Sequence, residues 1–381
     1  MTGQYRELVA FGDSALAAGQ DYFALRYRIG AACFHLERYA AAARHFGKAH
    51  EFHSGEPETM EYLYFSLYRS GQIHAAQLLV KDMLPSLRKK LGLKTQQLIS
   101  RLNLESGSKR SSNTGITGNM STLSLNVTHL LAARWRLSQG IGVLSQGLPG
   151  GRYGQLNYFA APNAYLGKGF NATGVLHLLG LKGSLPPQHP PFLPPPPGGW
   201  PDARLSSTGH LLHLSLGYQK AYFQLKASAN RTSLQTSIRT QTPLGARDSV
   251  TNISAWQAGV ALDLNPPILQ QRILLSVAAS LHRQSASSLL TWLSIGGYPV
   301  RNIYLEARYF KCGTSNFNEF DGTLVNNSAD PLKDRISGLA QFNLSTRLGL
   351  YLLYQHETKS SSLDARPFRY NSFFTGINVN L

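Results

Sequence analysis

Phe373-Phe374-Thr375-Gly376-Ile377-Asn378-Val379-Asn380-Leu381 are the last nine residues of the sequence. Phe373, Thr375, Ile377, Val379 and Leu381 share one parity and are mostly apolar, while Gly376, Asn378 and Asn380 hold the other. A strand with this period has one greasy face and one wet face. Repeated over more than two hundred residues, the pattern belongs to a β-barrel whose outer wall meets lipid and whose lumen holds water.

The repetition is present. Leu123, Leu125 and Val127 alternate with Ser124, Asn126 and Thr128. Leu212, Leu214 and Leu216 alternate with His213, Ser215 and Gly217, and Phe223, Leu225, Ala227 and Ala229 with Gln224, Lys226, Ser228 and Asn230. Further segments centre on Leu104, Ile141, Phe159, Leu176, Val260, Val277, Leu293, Leu305, Phe342 and Leu350. With the terminal strand this predicts about 14 antiparallel strands, each near the ~10 residues such strands need. Short links, such as 130–133, 218–221 and 345–346, alternate with long ones at 179–207, 236–252, 314–334 and 359–367. That asymmetry suits short turns on one membrane face and long loops on the other. An even strand number places both ends of the barrel on the turn side. Trp135, Trp256, Trp292, Tyr309 and Tyr354 are candidates for aromatic girdles at the lipid–water boundaries.

Composition by itself is ordinary for a soluble protein. Apolar residues make up 43% of 381 and mean hydropathy is −0.18, and no run approaches the roughly 20 apolar residues of a membrane helix. A spanning structure would therefore have to be a barrel, because only helices and closed barrels satisfy every backbone group in lipid. The first residues, Met1 to Glu7, carry no charged-then-apolar leader, so a barrel reading expects a processed, trimmed or partial chain. Cys33 and Cys312 are the only cysteines and have no metal-ligand spacing. Cys33 lies on an apolar helix face, as a core residue would.

From Tyr5 to about Leu93 the apolar spacing is helical and repeats. Gly30, Tyr39, Ala42, Phe46 and Ala49 recur in kind as Tyr64, Ile73, Ala76, Val80 and Met83, each 34 residues on. Gly71 and Gln72 mark a turn equivalent to that at Glu37 and Arg38. A 34-residue helix-turn-helix period is that of tetratricopeptide repeats, which stack and present a concave binding face. These residues resemble that family over about two repeats. The sequence thus divides into a helical repeat domain, 1–97, and a barrel, 98–381.

The charge is uneven. Twelve basic residues face nine acidic ones up to Lys94, and 25 face 11 beyond it. Two readings stand: solubility or contact with phosphate-bearing lipid at the rim, and a lumen that favours anions. The second makes Arg136, Lys226, Arg272, Arg308 and Arg347 pore-lining candidates, offset in part by Glu306 and Asp263. His213 and His282, with Ser215 and Ser276 nearby, have lumen parity, but nothing ties them to an acid at a set spacing. No phosphate loop, paired-His motif or nucleophile elbow is present, so neither catalysis nor a cofactor is expected. Pro186 to Pro197 holds a polyproline stretch that cannot pair as strand and suits a stiff loop.

From about Leu102 on, the chain resembles the outer-membrane barrels of Gram-negative bacteria. The terminal Phe373, Ile377, Val379 and Leu381 match the β-signal read by barrel-assembly machinery, with Leu381 where an aromatic residue is usual. Helical repeats followed by one barrel are similar to exopolysaccharide export pores and to YaiO-like barrels. The resemblance implies an outer-membrane pore or exporter for polysaccharide with a periplasmic docking module. The alternative is a scaffold whose repeats recruit a partner and whose barrel is only an anchor. Outer-membrane lipid and lipopolysaccharide, a periplasmic protein and an anionic polymer are the implied partners, and no nucleic acid is expected.

Overall fold

The computed structural model describes residues 2–381 apart from 71, 94–97, 116, 133, 149–150, 168, 186–202, 221–222, 243–244, 266–272, 301, 320–324, 327–329, 346 and 362–365. Gly71, Arg272 and the polyproline stretch therefore lie outside the described residues.

Six helices come first: α1 (Thr2–Ala17), α2 (Phe23–His35), α3 (Tyr39–Phe52), α4 (Pro57–Arg69), α5 (Ile73–Asp82) and α6 (Pro85–Lys90). Pro57 and Pro85 stand in the first turn of α4 and α6, where the missing N–H is no loss. The α2–α3 and α4–α5 pairs start 34 residues apart, the period seen in the sequence. Glu37 takes a left-handed φ of 59° and lets α3 fold back on α2. Their core is Ile29, Cys33, Ala42, Phe46, Met60, Leu63, Val80 and Met83. A Cβ on Gly30 would sit 3.1 Å from the Phe46 ring, so glycine there lets α2 and α3 approach closely. Ala49 and Ala76 are fully buried, and Tyr39 accepts a hydrogen bond of 2.8 Å from Arg69 of α4. Among the described residues, no helix is long and apolar enough to cross a membrane.

The strands follow: β1 (Ile99–Ser111), β2 (Met120–Ala132), β3 (Trp135–Leu148), β4 (Gly151–Gly167), β5 (Phe170–Leu185), β6 (Ala203–Lys220), β7 (Phe223–Thr242) and β8 (Gly245–Leu264). Then come β9 (Ile273–Arg283), β10 (Ser287–Val300), β11 (Ile303–Thr314), β12 (Phe317–Asn318), β13 (Val325–Asn326), β14 (Leu332–Asn343), β15 (Leu348–Ser360) and β16 (Pro367–Asn380). Fourteen of them form a closed antiparallel barrel in chain order, while β12 and β13 pair separately within the β11–β14 connection. Closure is by β1 against β16, with Leu102 opposite Val379 and Leu104 opposite Ile377. The terminal residues thus seal the barrel, and the Leu381 N–H reaches the Ser100 carbonyl at 3.1 Å.

The outward face carries the expected stripe. Leu214 is 71% exposed, Leu216 63% and Phe373 61%, values that only an apolar solvent makes reasonable. On β7 the outward residues run Leu225, Ala227 and Ala229, then turn polar at Arg231, Ser233, Gln235 and Arg239. Trp256 on β8 marks the same height, with the Arg231 guanidinium 5.1 Å from its ring centre. Tyr309, Tyr354 and Phe373 sit where β11, β15 and β16 change over to Lys311, His356 and Asn371. Trp135, Phe170 and Tyr218 lie toward the opposite rim. These are two aromatic belts bounding an apolar band.

One expectation needs correcting. Residues 236–252 were expected to be a loop, but β7 and β8 are 20 residues each and pair from Phe223–Leu264 to Thr242–Gly245. An antiparallel ladder needs only backbone partners, so it runs on past the apolar band as a polar hairpin.

Candidate functional site in the barrel lumen

Inward parity puts Asn103, Glu105, Lys109, Tyr304, Glu306, Arg308, Arg335, Tyr351, Glu357 and Phe374 inside the barrel. Near the rim that holds both barrel termini, side-chain amides bridge adjacent strands. Asn126 donates to Asn103 and Asn103 to Asn378, both at 2.9 Å. Tyr351 donates to Glu105 at 2.6 Å. These rungs satisfy polar groups that would otherwise face one another unpaired.

Above them a cavity of about 1430 Å³ opens along β9, β10, β11, β14, β15, β16 and β1. Its inward wall includes Leu339, Leu353, Phe374 and Tyr298, with Gly107 and Gly296 giving room. Among its described lining residues Glu306 is the only charged one, and it is held by Arg308 at 2.7 Å and Tyr304 at 3.0 Å.

Over the cavity lies a chain of alternating charges. Lys109 of β1 meets Glu357 of β15 at 3.1 Å, and Glu357 meets Arg335 of β14 at 3.7 Å. Arg335 donates a short hydrogen bond to Glu319, and Glu319 lies 3.9 Å from Arg308, which closes on Glu306. Glu357 is 1% exposed and Arg335 4%, so each charge depends on its neighbours for what water would supply. The Arg335 guanidinium also sits 5.2 Å from the Phe310 ring centre, and that of Arg308 lies 4.4 Å from that of Trp292.

Glu319 comes from the connection after β11, and this segment enters the lumen. Phe317 is fully buried and stacks on Phe310, in a cluster with Leu290 and Leu332. Asn318 reaches β8, its N–H donating to the Gln257 Oε1 at 3.1 Å while its carbonyl accepts from the Gln257 Nε2 at 2.9 Å. The Asn318 side chain also approaches His213 at 3.5 Å. Residues 316–319 thus form a bar inside the barrel, tied to β14 through Glu319 and to β8 through Asn318, with His213 of β6 beside it. A second loop turns inward beside it. Thr117 accepts from Gln146 at 2.6 Å and shares a 2.7 Å hydrogen bond with Tyr370.

The sequence candidates fall as follows. Lys226 and Arg308 point inward, and each has an acid: Asp263 at 3.4 Å for Lys226, and Glu306 with Glu319 for Arg308. Arg136 is partly buried near the terminal rim, and Arg347 is an exposed turn residue before β15. Among the described candidates, Lys226 and Arg308 are thus each paired with an acid. Trp292 was expected in a girdle. Its even parity turns it inward onto Arg308, while Leu293 takes the lipid face. His213 and His282 do face the lumen, buried at 1% each, but their described partners are Asn318 and the Thr314 hydroxyl. Sequence reasoning missed Arg335, Glu357 and Glu319. The first two sit at inward parity in β14 and β15, a signal that was available. Glu319 lies in a loop, where parity says nothing. Among the described residues no group of three or more His, Cys, Asp or Glu could hold a metal.

No family model matches the chain, and no curated protein matches it. Among solved structures it is similar to the CymD monoaromatic hydrocarbon channel, with a TM-score of 0.51 at 10% identity over 75% of this chain and 89% of that one. It is also similar to the toluene transporter TodX of Pseudomonas putida (TM-score 0.43, 11% identity, 74% and 88% covered). A third is the translocator domain of the autotransporter NalP from Neisseria meningitidis (TM-score 0.40, 12% identity, 77% and 92% covered). None of the three is named as an enzyme. The likeness to CymD, above one half in TM-score, carries the fold, and at such identities it carries the fold alone. The fold is that of an outer-membrane β-barrel.

Proposed function

We propose that this chain is an outer-membrane transport barrel, drawn in a shut state, with a tetratricopeptide-like helical module on the periplasmic side. A barrel kept only as an anchor needs neither an open chamber nor a loop that enters the lumen and is bonded to β14 and β8. The bar at 316–319 over a cavity of about 1430 Å³ is the observation that carries the reading. The even strand number supports the placement of the helices, because β1 and β16 both end at the rim of short turns.

Polysaccharide is the cargo we favour. Tyr298, Tyr304, Tyr351 and the amide rungs combine aromatic faces with hydroxyl and amide groups, which suit the C–H faces and hydroxyls of a sugar. In that reading the helices dock a periplasmic partner. A second reading, a small apolar solute, is favoured by Leu339, Leu353 and Phe374 in the cavity wall, and CymD by its name takes such a solute.

The test is solute entry into proteoliposomes holding the full chain. A variant with residues 316–319 replaced by Gly-Ser-Gly-Ser should admit small oligosaccharides that the unaltered protein admits slowly. Faster entry of toluene but not of oligosaccharide would select the second reading. No entry of either, from a variant that still folds as a barrel, would leave the anchor.

A further inference from the structure

We propose that Arg335 and Arg308 form a carboxylate-binding site that Glu319 fills in the shut state, and that a carboxylate-bearing solute takes it when the 316–319 bar withdraws. This rests on the transport reading and names the chemistry of what passes.

The wall and the loop carry unequal charge. Around the bar stand Lys109, Arg308, Arg335 and Lys359 from the wall, against Glu306 and Glu357 from the wall and Glu319 from the loop. Asp330, also in that loop, adds a second acid whose field reaches Lys359. With the loop in place the charges balance. With it withdrawn, the wall alone keeps two more positive charges than negative ones, in a lumen where little else screens them. Such a site attracts an anion more strongly than any exposed pair could.

Geometry points to a carboxylate. Arg335 presents a planar fork that is 4% exposed, donates from one Nη to Glu319, and has its Nε–H buried with no hydrogen-bond partner among the described residues. A free carboxylate turned to take two parallel N–H bonds would use that idle donor, which the tethered Glu319 does not reach. Arg308 stands on the far side of the same carboxylate at 3.9 Å, so two guanidinium groups flank one anion. Glu306, bound to Arg308, lines the cavity below and links the site to the chamber.

Two kinds of solute share this chemistry, a sugar acid and an aromatic acid. Glucuronate and benzoate are the probes, with glucose as the neutral control. Trp292 stacks on Arg308, and its emission reports the site in detergent without any need for conduction; Trp292→Phe removes the signal and serves as the blank. Glu319→Gln is the opened form. It should raise open-channel current in planar bilayers by about tenfold or more, since the bar loses its charged tie. In the same variant glucuronate or benzoate, but not glucose, should change Trp292 emission and reduce the current. Adding Arg308→Gln, or Arg335→Gln where that variant folds, should abolish both effects. Response to one acid alone identifies the source, and either supports the site. If Glu319→Gln conducts and neither acid differs from glucose, the carboxylate site is wrong and the transport reading stands. If no current flows but Trp292 responds to an acid, the site is right and the transport reading fails. Silence in both assays overturns the proposal.

Discussion

Arg335 and Glu357 stand 3.7 Å apart inside the barrel, and Arg239 and Asp248 stand 3.7 Å apart on the polar hairpin beyond the lipid band. The first pair is 4% and 2% exposed at its side chains, the second 62% and 55%. Charges and separations match, yet the physical situations are opposite. Water around Arg239 and Asp248 solvates either charge alone, so their contact decides little. Around Arg335 and Glu357 no water takes over, and each charge is held only by the rest of the chain from Lys109 to Glu306. A distance therefore says nothing about importance until burial is known. The inner pair helps fix a loop in place, while the outer pair decorates a strand hairpin.

The strongest way to break this comparison is to remove Arg335. Arg335→Met leaves Glu319 and Glu357 buried without their main partner and should cost about 3–5 kcal/mol. Urea unfolding in detergent micelles, followed by the gel shift between folded and unfolded barrel, measures it. Restoring charge balance in Arg335→Met/Glu319→Gln should recover part of the loss. A loss below about 1 kcal/mol in the single variant would place the pair in the same class as the exposed one.

The lipid face tests the same logic with no partner at all. Leu214→Arg puts a charge in the apolar band of β6 and should cost about 2–4 kcal/mol, less if the side chain reaches a rim. The same substitution at Ser233, outward on β7 above the band, should be close to neutral. Equal costs at the two positions would mean that the band is not where the leucine stripe places it.

How much of this was legible in the sequence follows from the same physics. Lipid allows one kind of side chain over a long stretch, so parity in β6, β7 or β16 can be read residue by residue and the strand number emerges from it. The helical pairing was legible because Ala42 and Phe46 recur in kind as Ala76 and Val80, a small and a large apolar group at the same spacing. The lumen allows polar, charged, small and aromatic groups alike. Parity therefore told which way Arg308 points without telling that Glu306 lies beside it. Trp292 was misplaced because an indole suits either face. The bar at 316–319 had no signal, since Asn316, Phe317, Asn318 and Glu319 read as an ordinary loop until Gln257 and Arg335, far away in sequence, are brought to it.

The helices hold a buried titratable group with a cation rather than an acid in contact with it. His45 is 8% exposed, and its Nδ1 lies 3.4 Å from the Arg26 Nη1, while Arg26 is held by Asp21 at 2.7 Å. Burial first, and the nearby arginine charge second, push its pKa down to about 4. The neutral ring is thus the form the fold prefers. Its contribution is complete above the unfolded value near 6.5 and is lost as pH falls through about 4. Far-UV circular dichroism on heating should show the helical transition moving to lower temperature between pH 6.5 and 4. In His45→Gln that movement should shrink, while the barrel transition stays the same in both.

The smallest expected effect returns to the outer pair. Asp248→Asn should change barrel stability by no more than about 0.5 kcal/mol, because the carboxylate and the Arg239 guanidinium are each solvated with or without the other. Ionic strength separates this from a chance cancellation. If the pair contributed, raising salt would weaken the unaltered protein and leave the variant alone, since screening acts across exposed charges about one Debye length apart or less. Indifference of both to salt is the expected result. In the lumen, the same salt series on Arg335→Met should leave most of its deficit in place, because ions in bulk water do not enter a site buried behind Phe317 and Leu332. A salt-rescued Arg335→Met would mean that the bar at 316–319 does not shut the lumen, and the contrast between the two pairs would collapse from the inside.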